Sequence, residues 1–119
     1  MLKLIAILFG LIMIVIGILG FLPDFTPNNL LFGIFEVNPM HNVVHLLTGL
    51  VAVVCGLSNA TAAKTFFILF GLVYGAIAAL GFIQGPGLLY GMAINQADNW
   101  LHVGISLVSL YLGLFLKNK

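Results

Sequence analysis

Val37-Asn38-Pro39-Met40-His41-Asn42-Val43-Val44-His45 is the stretch on which the reading of this chain turns, because the sequence writes it twice. Fifty-seven residues on comes Ile94-Asn95-Gln96-Ala97-Asp98-Asn99-Trp100-Leu101-His102. Asn38 returns as Asn95, Asn42 as Asn99 and His45 as His102, while His41 is answered by Asp98. Nearly everything around these two polar clusters is apolar, so they hold most of the chemistry the chain can offer.

Composition names the solvent. Of 119 residues, 62% are hydrophobic and 6% are charged, there is no arginine, and the mean hydropathy is +1.23. A soluble domain carries about 25% charged residues, so this chain cannot clothe a water-facing surface and the lipid bilayer is its expected partner. A net charge of +1 speaks against nucleic acid or an acidic substrate. The single cysteine, Cys55 between Val54 and Gly56, excludes an internal disulfide and reads as a small packed residue.

Outward from the clusters, the apolar runs fall at about 4–22, 40–57, 65–83 and 97–116. At about 1.5 Å per residue the first run reaches roughly 28 Å, close to the hydrocarbon thickness. It is too long for a signal-peptide core and has no small-x-small cleavage site before Pro23, so a retained span is expected. Asn38 and Asn95 read as N-caps, with Pro39 suited to the first helical position. Ser58 to Lys64 is a short polar turn, and Gly85-Pro86-Gly87 stops the third run. Two apolar inserts, Leu30–Phe35 and Leu88–Ala93, are too short to span and are expected as one or two helical turns, or irregular pieces, at the interface.

The repetition extends beyond the clusters. Residues 37–57 against 94–114 share Asn38, Asn42, His45, Leu50, Val51, Gly56 and Leu57 with their counterparts, seven identities in 21. Residues 9–21 match 70–82 at an offset of 61, again with seven identities, now in 13. The fold class expected is therefore all-α: an integral membrane four-helix bundle, one domain over 1–119, made of two parallel two-helix repeats. Repeat one covers about 1–57 and repeat two about 61–116.

Charge sets the orientation. Lys3, Lys64, Lys117 and Lys119 fall on one side of a four-span chain, and Asp24, Glu36 and Asp98 on the other. The positive-inside rule then puts both termini in the cytoplasm of a cell with an inner or plasma membrane, and both polar clusters at the outer face, with Tyr90 and Trp100 in an interfacial belt. Gly71-x-x-x-Gly75 and Gly81-x-x-x-Gly85 let another backbone approach closely and offer a surface for homo-oligomers.

Asn-Pro-x-His-Asn-x-x-His before the second span, with Ala-Asp-Asn-Trp-Leu-His before the fourth, resembles the small bacterial four-span membrane proteins of the domain-of-unknown-function family 4383. The resemblance covers the whole chain. It implies the four spans and supports the choice of polar clusters, and it carries no reaction.

His41 and His45 stand at i and i+4, one turn apart on one face, and Asp98 and His102 repeat the spacing. Facing helices offering such pairs would gather three imidazoles and a carboxylate, a set suited to a transition metal such as zinc or copper. The candidate ligands are thus His41, His45, Asp98 and His102, with Asn38, Asn42, Asn95 and Asn99 as groups that orient them. A haem held by His45 and His102 is a variant for which a bundle this small has little room. Two other readings stand beside metal binding. In one, the protein is a structural or accessory subunit: Asn38 with His41 and Asn95 with Asp98 have capping-box spacing, and His45 and His102 bond Asn99 and Asn42 across the repeat axis. In the other, the polar clusters form a mouth for a small ligand, ion or proton. An enzyme is not expected. His-Asn-x-x-His is one letter from the zincin motif, but an asparagine cannot act as its general base.

Overall fold

A computed structural model describes residues 1–117. Its four helices are α1 (Leu2–Leu19), α2 (Pro39–Ser58), α3 (Ala60–Gln84) and α4 (Gln96–Phe115). The starts of α2, α3 and α4 have a local cause. Asn38 accepts from the His41 N–H at 2.9 Å with Pro39 at the first helical position, Asn59 accepts from Ala62 N–H at 2.8 Å, and Asn95 forms a reciprocal capping box with Asp98. α3 begins at Ala60 rather than Thr65 because Asn59 caps it. It ends where Gly85 takes a positive φ of 83°.

Three of these helices, α1, α2 and α3, are long and apolar enough to cross a membrane. α4 is 20 residues long, as α2 is, but Gln96, Asp98, Asn99 and His102 crowd its first two turns and lower its hydropathy. The molecule measures 44 × 30 × 19 Å, and the long axis matches a bilayer of about 40–45 Å with its headgroup regions.

α1 lies antiparallel along α2, and α3 antiparallel along α4. Small residues set the approach: a methyl group on Gly10 would meet the Gly49 carbonyl oxygen at 2.5 Å, and one on Gly49 would meet that of Gly10 at 2.5 Å. The contacts of the two pairs run in register. Gly10 packs on Val53 as Gly71 packs on Leu110, Gly56 on Ile7 as Gly113 on Ile68, and Gly20 on Asn42 as Gly81 on Asn99. At the end away from the histidines, Leu2, Ala6, Ala52, Ala63, Phe66 and Phe67 form an apolar core. There the Phe9 ring meets both Phe66 and Phe67 edge-on at 5.8 Å, and Lys64 donates to the Gly113 carbonyl near the end of α4.

The connections differ from expectation. Leu30–Phe35 and Leu88–Ala93 are not helical turns but parts of two antiparallel hairpins. β1 (Leu30–Leu31) pairs with β2 (Phe35–Glu36), and β3 (Gly87–Leu89) pairs with β4 (Met92–Ile94). The reason lies at the corners. Phe32, Gly33, Tyr90 and Gly91 all have positive φ, between 50° and 85°, outside the right-handed helical region; Tyr90-Gly91 makes a two-residue turn and Phe32-Gly33-Ile34 a three-residue one. Ahead of the first hairpin, Pro23–Phe25 and Pro27–Asn29 add two short 3-10 turns that the second connection lacks. The second hairpin is the better buried: Leu89, Met92 and Ile94 pack with Val44 and Ile77 and roof the connection end of α2 and α3.

Candidate metal centre

His41, His45 and His102 come together in the interior. Their exposures are 0%, 3% and 2%, and one nitrogen from each lies within 4.8 Å of the others. Ring centroids are 4.6 Å apart for His41 and His45, 5.6 Å for His41 and His102, and 6.3 Å for His45 and His102. His45 and His102 are each the seventh residue of their helix, so at about 1.5 Å per residue they sit roughly 9 Å in from the helix starts. The repeated spacing in sequence thus becomes juxtaposition across α2 and α4.

His41 is held from outside the cluster. Its Nδ1 lies 2.7 Å from the Ala93 carbonyl oxygen on β4, and since a carbonyl only accepts, Nδ1 carries the proton. Nε2 is then the lone-pair nitrogen, and it is buried with no hydrogen-bond partner among the described residues. Both ring nitrogens of His45 and Nδ1 of His102 share that condition. Buried polar atoms in folded proteins are nearly always paired, and here four unpaired nitrogens lie in one cluster. A ring N–H fixed on a backbone carbonyl, with the opposite nitrogen free, is also the usual posture of a metal-binding histidine.

Tyr74 of α3 forms one wall. Its ring meets His102 edge-on at 5.4 Å, and its hydroxyl lies 2.9 Å from Thr48 Oγ1. Thr48 already donates its proton to the Val44 carbonyl at 2.8 Å, so Tyr74 is the donor and its hydroxyl is spent on structure. The sequence reading did not single out Thr48. The signal was there, since Thr48 follows His45 by three residues on the same helical face. The His41 and Tyr74 rings lie 5.6 and 5.4 Å from that of His102.

Asp98 and the asparagines are placed differently from the histidines. Asp98 is buried at 1% exposure, but it stands outside the close group of three. Its Oδ2 accepts from the Asn95 N–H at 3.0 Å, while Oδ1 is buried without a partner among the described residues. The main chain of Glu36 borders both Asp98 and His41. Asn38 and Asn95 cap α2 and α4, and their Nδ2 groups reach across to the hairpins, Asn38 to the Gly91 carbonyl and Asn95 to that of Ile34, each at 2.9 Å. Asn42 and Asn99 do not bond His102 and His45. Each lays its carboxamide oxygen over a glycine of the neighbouring helix, Gly20 and Gly81 respectively, where a Cβ atom would stand 1.9 and 2.1 Å from that oxygen. The cross-axis hydrogen bonds expected of a purely structural cluster are therefore not formed, because the antiparallel partner helix claims each asparagine first.

Three buried imidazoles supply neutral nitrogen donors that can hold zinc or copper. The widest separation, 4.8 Å, exceeds the roughly 4 Å that two ligands at 2.0–2.1 Å can span, so closing on an ion needs ring movements of about 1 Å or less.

Membrane-competent helices around a buried histidine cluster define the class of protein to which this chain is to be compared. The chain belongs to the family described as Domain of unknown function (DUF4383), whose model matches residues 3–115. No curated protein and no solved structure matches it.

Proposed function

We propose that this protein is a membrane protein that binds one divalent transition-metal ion, zinc or copper, through His41, His45 and His102. Asp98 Oδ1 is the fourth donor. It lies one turn before His102 on the same face of α4, is buried, and has no other partner among the described residues. The observation that carries the reading is the posture of His41: Nδ1–H is fixed on Ala93, leaving a buried Nε2 beside two more imidazoles.

In this reading all four helices cross the bilayer, and the chain is a duplicated two-helix unit. The contacts repeated at offsets of 57 and 61 residues support the duplication. Lys3, Lys64 and Lys117 at one end, against Asp24, Glu36 and Asp98 at the other, support cytoplasmic termini and a metal site near the outer face of the plasma or inner membrane. The lipid bilayer is the partner required. No reaction is assigned to the centre.

Elemental analysis of protein purified in mild detergent without chelator tests the proposal. About one zinc or copper per chain is expected, falling to background in His45→Ala. Metal-free wild-type protein that also fails to take up added zinc or copper overturns it.

A further inference from the structure

The two units differ at the start of their polar helices. In the second, Asn99 donates from Nδ2 to Gln96 Oε1 at 3.1 Å, and Gln96 is the first residue of α4. The corresponding first residue of α2 is Pro39, which has no side-chain acceptor. Asn42, the counterpart of Asn99, is 2% exposed, yet its carboxamide makes no hydrogen bond to any described residue. Next to it lies a cavity of about 290 Å³ whose walls include Gly20, Thr26, Asn29, Asn38, Pro39 and Asn42. The 3-10 turns that help enclose it, Pro23–Phe25 and Pro27–Asn29, have no counterpart in the second connection.

The chemistry of the walls selects a ligand. No charged side chain lines the cavity, so an ion would be desolvated without compensation. Asn38 is committed in both directions, accepting from His41 N–H and donating to Gly91. Thr26 spends its proton on the Leu22 carbonyl. Asn42 Nδ2 is the deep donor left over, and in the other unit the group that receives its counterpart is a carbonyl oxygen. We propose that this cavity binds a neutral carbonyl group, amide or ester, on Asn42 Nδ2, in the position that Gln96 fills for Asn99. The ester carbonyl of a glycerolipid is one source, since such carbonyls lie at the edge of the hydrocarbon core where a spanning helix ends. A free small carboxamide is the other. The site is separate from the histidine cluster, and neither proposal requires the other.

The side-chain amide protons of Asn42 report directly on the bond, with Asn99 as an internal reference. They are followed by NMR in bicelles of diester phosphatidylcholine, in bicelles of diether phosphatidylcholine, and in the latter with added acetamide. A downfield shift of Asn42 in the diester lipid relative to the diether identifies the lipid ester. A saturable shift only on adding acetamide identifies a free carboxamide. In both cases Asn99 stays in place, and Pro39→Gln, which installs at the start of α2 the residue that starts α4, removes the response. No response of Asn42 in any condition, an equal response of Asn99, or a response that persists in folded Pro39→Gln overturns the proposal. The comparison of Asn42 with Asn99 in wild-type protein decides the matter even if that variant does not fold.

Discussion

Asn38 donates its side-chain N–H to the carbonyl of Gly91, at the tip of the second hairpin, and Asn95 returns the bond to Ile34 of the first hairpin at the same 2.9 Å. Residues 38 and 95 are 57 apart, and so are 34 and 91, so the cap of α2 holds the second hairpin and the cap of α4 holds the first. Those hairpins carry Ala93 and Glu36, the main-chain segments that border His41 and Asp98. The caps therefore do two jobs: they start the helices that bear the histidines and they hold the roof against them.

A substitution series at position 38 separates the two jobs. Asn38→Ala removes the cap, worth about 1 kcal/mol, and the bond to Gly91, worth about another. Asn38→Ser keeps a capping hydroxyl but is too short to reach Gly91. Thermal unfolding in detergent should show a loss of roughly 2 kcal/mol for alanine and about half of that for serine. A serine variant as stable as wild type would show that the cross-unit bond contributes nothing.

Much of this arrangement was legible from side-chain identity and spacing. The apolar runs marked the helices, Asn38 and Asn95 declared their caps, and the recurrence of His45 as His102 pointed to residues that meet. What escaped the sequence depends on groups that side-chain letters do not encode. The acceptor of His41 is a backbone carbonyl, and any residue at position 93 would present one. The hairpins turn on Phe32 and Tyr90 in the left-handed region, where aromatic residues are uncommon, so Leu-Phe-Gly-Ile gave no turn signal as strong as Asn-Gly would have. Asn42 and Asn99 were assigned to the histidines because helix faces were read without knowing which helix packs on which. The pairing of α1 with α2 and of α3 with α4 sends both carboxamides to glycines instead.

That packing makes its own prediction. A methyl group at Gly20 or Gly81 would overlap the carboxamide oxygen of Asn42 or Asn99, whereas at Gly104 it meets nothing within 4 Å. Gly20→Ala and Gly81→Ala should each cost about 1–3 kcal/mol by overpacking, and Gly104→Ala should leave stability unchanged or slightly raised. Combining Gly20→Ala with Asn42→Ala should recover part of the loss. Equal unfolding temperatures for the alanine variants at 20 and 104 would contradict the contact.

Orientation follows from the proposed four spans. A reporter fused after Lys119 should read cytoplasmic, and one inserted between Thr26 and Asn29 should read external. The reverse pattern would put the histidines at the inner face, and both reporters on the same side would exclude the three crossings that four spans place between them.

The histidine centre, finally, separates metal binding from a cluster that merely packs. Imidazole binds a metal only in its neutral form, so occupancy should be full at neutral pH and be lost on acidification. Stability conferred by the ion carries the same sign, present at higher pH and lost on acidification, so added zinc should raise the unfolding temperature at pH 7.5 and do so less at pH 5. His45→Ala and His102→Ala should abolish both the bound metal and the zinc-induced shift. Asp98→Asn, which removes the carboxylate charge while keeping an oxygen that can accept from Asn95 N–H, should weaken binding without abolishing it. Asn42→Ala should retain the metal, because Asn42 lies against Gly20 and makes no hydrogen bond to a histidine. Loss of metal in Asn42→Ala equal to that in His45→Ala would mean that the site is held together differently from the arrangement described. A zinc response unchanged in both histidine variants would end the metal reading.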